Sequence, residues 1–222
     1  MARLLTSLGY MCGHESIFTT YGINAAENKI YFQEPIETSV CSTKNLIVNE
    51  PYEDWFDPNS VKAESSYMAA PFLTEKFLKS TKIIHLVRNP LNVLSSFLYD
   101  VKFFDYEENN MDKYKNFVLK YLPEITSIEN HVERACYYYI CWNQMIEKSK
   151  YTKKYLLHKV ENQCNDELCD FLGIAMPDNF FSDSSMNSWK RDRENNLTLD
   201  DIPNGLIKQD FIKLMSNYGY LQ

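Results

Sequence analysis

The chain has 222 residues, 45% of them hydrophobic and 24% charged, which suits one globular domain that builds its own core without a disulfide or metal staple. Lys and Arg number 23 against 30 Asp and Glu, a formal net charge of −7, so a general basic surface for nucleic acid is excluded and any anion must be met by a local cluster. The cysteines at 12, 41, 136, 141, 164 and 169 form no C-x2-C pair and have no histidine at ligand spacing, which points to free thiols in a reducing compartment rather than to zinc or a disulfide framework.

The run from Met1 to Tyr10 is too short in apolar residues for a signal peptide, and no window approaches the roughly 18 uninterrupted apolar residues of a membrane span. The expectation is a soluble, cytoplasmic protein with no membrane and no nucleic-acid partner. No glycine-rich turn precedes a Lys-Ser or Lys-Thr pair, so the usual nucleotide phosphate loop is absent from the sequence.

In chain order, Ala2 to Leu8 carries Leu4, Leu5 and Leu8 on one helical face, with Gly9 as a stop. Residues 16–60 show no readable period and include Pro35, Pro51 and Pro58, the pattern of an insertion or binding loop. Val61 to Glu64 reads as a strand end, and Met68 to Lys79, with Phe72, Phe77 and Leu78, as a helix. Lys82-Ile-Ile-His-Leu-Val87 is the strongest strand, a near-continuous apolar run of the kind buried on both faces of a parallel sheet.

Asn89 and Pro90 then supply an N-cap and a first helical position, so a helix runs from Pro90 to about Tyr99. Further helices are expected over Met111 to Tyr121 and Glu124 to Lys148, the latter from the recurrence of Ile125, Ile128, Val132, Ala135, Tyr139, Trp142 and Ile146. A strand over Tyr155 to Val160, a helix over Asp166 to Leu172 closed by Gly173, and a last helix over Gly205 to Tyr218 complete the chain. Strands separated by helices imply parallel crossovers, hence an α/β sheet with ligands gathering beyond the carboxyl ends of its strands.

Arg88 stands at that end of the strongest strand, where its planar fork of donors suits a phosphate and the following helix start adds backbone N–H groups. Ser96 follows eight residues later as a further donor. Pairing of Arg88 with a carboxylate and plain packing of Ser96 is the alternative, and on these two residues the balance is even. His85 in mid-strand reads as a satisfied core residue, and His131 and His158 have no partner motif. Tyr137, Tyr138, Tyr139 and Trp142 read as packing, as do the pairs Cys136/Cys141 and Cys164/Cys169, whose spacing on a helix does not bring both to one face.

The segment Lys82-Ile-Ile-His-Leu-Val-Arg-Asn-Pro-Leu-Asn-Val-Leu-Ser-Ser96 resembles the 3′-phosphate-binding segment of sulfotransferases that use 3′-phosphoadenosine 5′-phosphosulfate (PAPS). Gly13-His14-Glu15, the stretch Glu64 to Pro71, Tyr155 to Glu161 with Leu172-Gly173, and Tyr218-Gly219-Tyr220 resemble other family segments in the same order. The resemblance implies a three-layer α/β/α fold with a parallel sheet, related to P-loop proteins, and transfer of a sulfuryl group from PAPS to the hydroxyl of a carbohydrate or small metabolite, with no metal.

By the same resemblance Arg88 and Ser96 hold the 3′-phosphate. Glu15 is the first candidate for the base, His14 its rival and Glu64 the third. The family's 5′-phosphosulfate loop lies ahead of its first helix, and this chain begins within the corresponding helix, so that loop and its strand are expected to be missing. The Arg-Lys-Gly segment of the cytosolic animal enzymes is missing as well. Arg191, with Lys190 and Arg193, is the candidate to replace it, against the alternative of a solvated basic turn balanced by Asp192 and Glu194. A truncated or inactive nucleotide-binding relative and, less favoured, a nucleotide kinase are the rival functions.

Overall fold

The computed structural model describes Leu5, Leu8 and residues 12–14, 63–65, 69–73, 82–100, 112–162, 164–176 and 196–221. The chain divides into two compact units, Met1–Thr81 and Lys82–Gln222. In the first, strand β1 (Cys12–His14) pairs in parallel with β2 (Ala63–Ser65), in a register that sets Gly13 beside Glu64 and His14 beside Ser65. His14 is thus the last residue of a short strand. Leu5, Cys12 and Ala70 are buried, and Ala70–Phe72, flanked by Ala69 and Leu73, forms a single 3-10 turn where the sequence predicts a helix over 68–79; residues 68 and 74–79 lie outside the described residues.

The second unit runs β3 (Lys82–Val87), α1 (Pro90–Ser95), α2 (Asp112–Tyr121), α3 (His131–Lys148), β4 (Lys154–Lys159), α4 (Asp166–Leu172) and α5 (Leu206–Asn217). β3 and β4 are parallel neighbours, from Lys82 beside Lys154 to Val87 beside Lys159. Both units therefore carry the parallel pairing that alternating strands and helices imply.

Two expected elements are corrected. The helix expected over Glu124 to Lys148 begins only at His131: Pro123–Ser127 is a separate 3-10 turn, and Asn130 caps α3 by accepting the N–H groups of Val132 and Glu133 at 2.9 and 3.1 Å. The cap ends the upstream turn because its extended backbone interrupts the helical ladder. The helix from Pro90 keeps α-geometry only to Ser95, and Ser96–Asp100 widens into a π-turn.

β3 is not buried evenly on its two faces. Ile83, His85 and Val87 are buried, whereas Leu86 on the opposite face is 36% exposed. On that second face cover is concentrated over β4, where Leu156 and His158 are buried. Lys82 reaches from the strand start to the Phe171 and Leu172 carbonyls at 2.8 and 3.2 Å, meeting the last carbonyls of α4 with a cation. α3 and α5 pack against each other, with Tyr139 edge-on to Phe211, and Tyr138 stacks on Trp142 at 4.9 Å, as expected of core aromatics.

His85 has a hydrogen-bond partner on each ring nitrogen, and burial favours its neutral form. The Asn143 amide donates through Nδ2 to the Tyr139 carbonyl at 2.7 Å, so its Oδ1, 2.8 Å from His85 Nε2, is an acceptor and Nε2 carries the proton. Nδ1 of the neutral ring then accepts the Tyr155 hydroxyl at 2.6 Å. Tyr155 and Tyr218 stand edge-on to the imidazole. Burial lowers the His85 pKa, against the Asn143 hydrogen bond and the Glu147 charge that raise it.

Candidate functional site

The carboxyl ends of β3 and β4 meet side by side, and the chain leaving each one carries charge. Arg88 is exposed and follows β3 directly. Asn89 turns the chain: its side chain accepts the Leu91 N–H at 3.0 Å, its carbonyl accepts Val93 N–H at 3.2 Å, and Pro90 fills the first helical position, where no N–H is needed. A strand end, one arginine and a capped helix are therefore joined in three residues. On α1 the positions Asn89, Asn92, Val93 and Ser96 fall on one face by helical spacing, so half-buried Ser96 lies on the capped face two turns along.

Ser95, not singled out by sequence, is the buried serine of the pair. Its hydroxyl donates to the Leu91 carbonyl at 2.9 Å and accepts the Leu197 N–H at 2.9 Å, tying α1 to the segment before α5. Ser95 thus has a structural task, and Ser96 is the one left at the half-open face.

From β4 come Lys159 and, one residue past the strand end, the 3-10 turn Val160–Asn162 with Glu161. Glu161 Oε2 accepts the Tyr220 hydroxyl at 2.7 Å, and Oε1 accepts the Asn89 N–H at 3.4 Å, so one carboxylate links both strand exits to the end of the chain. Lys159 Nζ donates to the Gly219 carbonyl at 3.1 Å and lies 4.7 Å above the Tyr220 ring. Gly219 has φ 68°, and a Cβ there would stand 2.9 Å from Lys159 Nζ. Glycine meets both demands, the left-handed backbone and the close approach.

Tyr139 of α3 completes the cluster from below. Burial pushes its hydroxyl above the usual tyrosine range, the Arg88 charge acts against that rise and the Glu161 charge adds to it, so the phenol lies within electrostatic reach of both. Tyr220 is raised by its burial and by the hydrogen bond to Glu161. The result is a site with two cations, one carboxylate and two protonated phenols, able to offer charge-assisted hydrogen bonds to an anion at the end where parallel strands present their ligands.

The sequence-predicted residues divide in this way. Arg88 and Ser96 share the β3–α1 exit. His14 and Glu64 are placed on paired strands at adjacent register positions in the other unit. Glu15, Arg191 with its neighbours Lys190 and Arg193, and residues 16–60 lie outside the described residues. By sequence Lys159 and Tyr220 stand only inside longer segments that resemble family segments, with no site role of their own. The signal that finds Lys159 is the register with Val87, and the signal for Tyr220 is the glycine before it.

The pair Cys164/Cys169 is a correction. A helical wheel puts a separation of five on different faces, but Cys164 lies before the helix: Asn165 is the cap, accepting the Leu168 N–H at 3.0 Å, and the two sulfurs approach to 3.5 Å. Cys136, by contrast, is fully buried inside α3 with its thiol pushed up to about 12 by burial, a packing residue as expected.

Among the described residues no helix is long and apolar enough to cross a membrane, and no group of three or more His, Cys, Asp or Glu is placed to hold a metal ion. No protein-family model, no curated protein and no solved structure matches the chain.

Proposed function

We propose that the protein is a sulfotransferase of three-layer, P-loop-like α/β/α architecture that transfers a sulfuryl group from PAPS to the hydroxyl of a carbohydrate or small metabolite. The observation that carries this is the exit of β3, where exposed Arg88 leaves the strand into an Asn-capped helix with Ser96 on the capped face. That arrangement fits a 3′-phosphate: the guanidinium meets two oxygens with parallel donors, and the serine hydroxyl takes a third.

The chemistry asked of the protein is mostly placement. The acceptor oxygen attacks sulfur in line as the bond from sulfur to the 5′-phosphate oxygen breaks, leaving 3′,5′-adenosine bisphosphate and a sulfate ester. The acceptor proton goes to a base, for which Glu15 is the first candidate, His14 the second and Glu64 the third. His14 and Glu64 end or border the carboxyl ends of a parallel strand pair, the end at which such sheets act. The reading requires no metal.

Incubation with radiolabelled PAPS and a panel of hydroxylated acceptors tests it. Label is expected in an acceptor with the wild-type protein and is expected to fall by about 10- to 150-fold in Arg88→Ala, the scale of a lost charge-assisted contact of roughly 1.5–3 kcal/mol. Binding of the donor with no transfer to any acceptor would overturn the enzymatic part, and absence of binding would overturn the whole.

A further inference from the structure

Outside this site, the two ends of α4 bring three sulfur atoms together. Asn165 caps the helix, so Cys164 occupies the position just before the cap and Cys169 the fourth helical position, the two places whose side chains meet across a helix start. At the other end Gly173, with φ 79° and ψ 40°, reverses the chain: the Ile174 N–H reaches the Cys169 carbonyl at 3.0 Å and the Gly173 N–H the Asp170 carbonyl at 3.1 Å. That reversal carries Met176 back over Cys169. A helix of two turns thus folds both of its flanks onto one buried thiol.

The distances define a small triangle: 3.5 Å between the cysteine sulfurs, and 3.8 Å from each of them to Met176 Sδ. Its centre lies about 2.1 Å from each sulfur, against metal–thiolate bonds of about 2.3 Å. Outward shifts of about 0.2 Å per sulfur would seat an ion in the plane of the three. Cys169 is 2% exposed and forms the floor, while half-buried Cys164 and Met176, 39% exposed, leave the triangle open on its outer side.

We propose that Cys164, Cys169 and Met176 form a binding site for a soft monovalent metal ion of the Cu(I) class, held in a trigonal arrangement of two thiolates and one thioether. Softness selects the ion: thiolate and thioether favour Cu(I), whereas zinc asks for four tetrahedral ligands of nitrogen, thiolate or carboxylate character. Without metal the two cysteine sulfurs lie in direct contact at 3.5 Å. Binding one Cu(I) releases both thiol protons and leaves the metal oxidation state unchanged, giving a site with net charge −1.

The test is anaerobic competition of the full-length protein against Cu(I) bicinchoninate, with Cys164→Ser and Met176→Leu as variants. Cys164 is half-buried and outside the helix, and Met176→Leu conserves volume, so both variants keep the fold; their melting curves check this. The wild type is expected to withdraw one equivalent of Cu(I) that Cys164→Ser leaves with the chelator, and Met176→Leu to bind it at least about tenfold more weakly, the scale of a lost ligand contact. Equal uptake by the wild type and Cys164→Ser, or an unchanged affinity in Met176→Leu, would overturn the proposal. So would recovery of Cys164 and Cys169 joined as a disulfide with no copper taken up.

Discussion

The interior and the carboxyl end of the β3–β4 pair are built from neighbouring residues and treat polar groups in opposite ways. In the interior, His85 is held neutral between Asn143 and Tyr155, and each donor meets an uncharged acceptor. At the strand ends, Arg88, Lys159 and Glu161 are charged and open to solvent in part, and Glu161 is shared between a backbone N–H and a phenol. Charge is tolerated where water or an anion can reach it, and the buried imidazole, three residues before Arg88, is kept uncharged. The contrast separates buried, uncharged polar groups from exposed charges along one strand.

Changes in the interior are expected to cost most. Asn143→Ala removes the acceptor for His85 Nε2–H and the donor to the Tyr139 carbonyl, and is expected to destabilise by about 3 kcal/mol in denaturant unfolding. A loss below about 1 kcal/mol would mean the network is not closed in solution. Asn130→Ala, which removes the cap of α3, is expected to cost about 1 kcal/mol. Gly219→Ala forces a left-handed backbone on alanine and displaces Lys159, and is expected to cost about 1 kcal/mol as well.

Between pH 7 and pH 5 acid should act on the interior. The folded state lowers the His85 pKa, so the unfolded chain takes up the proton first; the contribution is full above the ordinary histidine value of about 6.5 and is lost as pH falls below it. Groups facing the imidazole are Tyr155 from β4, Asn143 and Glu147 from α3, and Tyr218 after α5. Unfolding free energy of the wild type is expected to fall more between pH 7 and pH 5 than that of His85→Gln; parallel curves would contradict the assignment. Arg88→Ala is expected to change stability least, within about 0.5 kcal/mol, as befits an exposed residue.

How much of this was legible in the sequence follows the range of the interactions. β3, the Asn89-Pro90 helix start and the stop at Gly173 depend on residues within a few positions, and all three stand where the local signals put them. Apolar spacing that continues through Ile125 and Ile128 extends the predicted helix back to 124, although Asn130, followed by Glu133, carries the cap. Cys164 and Cys169 were separated on a helical wheel that does not apply to a residue ahead of its cap. The proposed anion site is half visible: Arg88 announces itself at a strand end, while Glu161 and Tyr220 meet across 59 positions, a contact that only the folded sheet creates.

Calorimetric or thermal-shift titration with 3′,5′-adenosine bisphosphate on the wild type and Arg88→Ala bears most directly on the central claim, that the exit of β3 is a phosphate site. At a ligand concentration near 100 times the dissociation constant the wild type is expected to gain about 2.7 kcal/mol, a rise of about 5–10 °C in Tm for a chain of this size. Arg88→Ala, equally stable without ligand, is expected to lose most of that gain. No shift in the wild type, or the same shift in both proteins, would contradict the account.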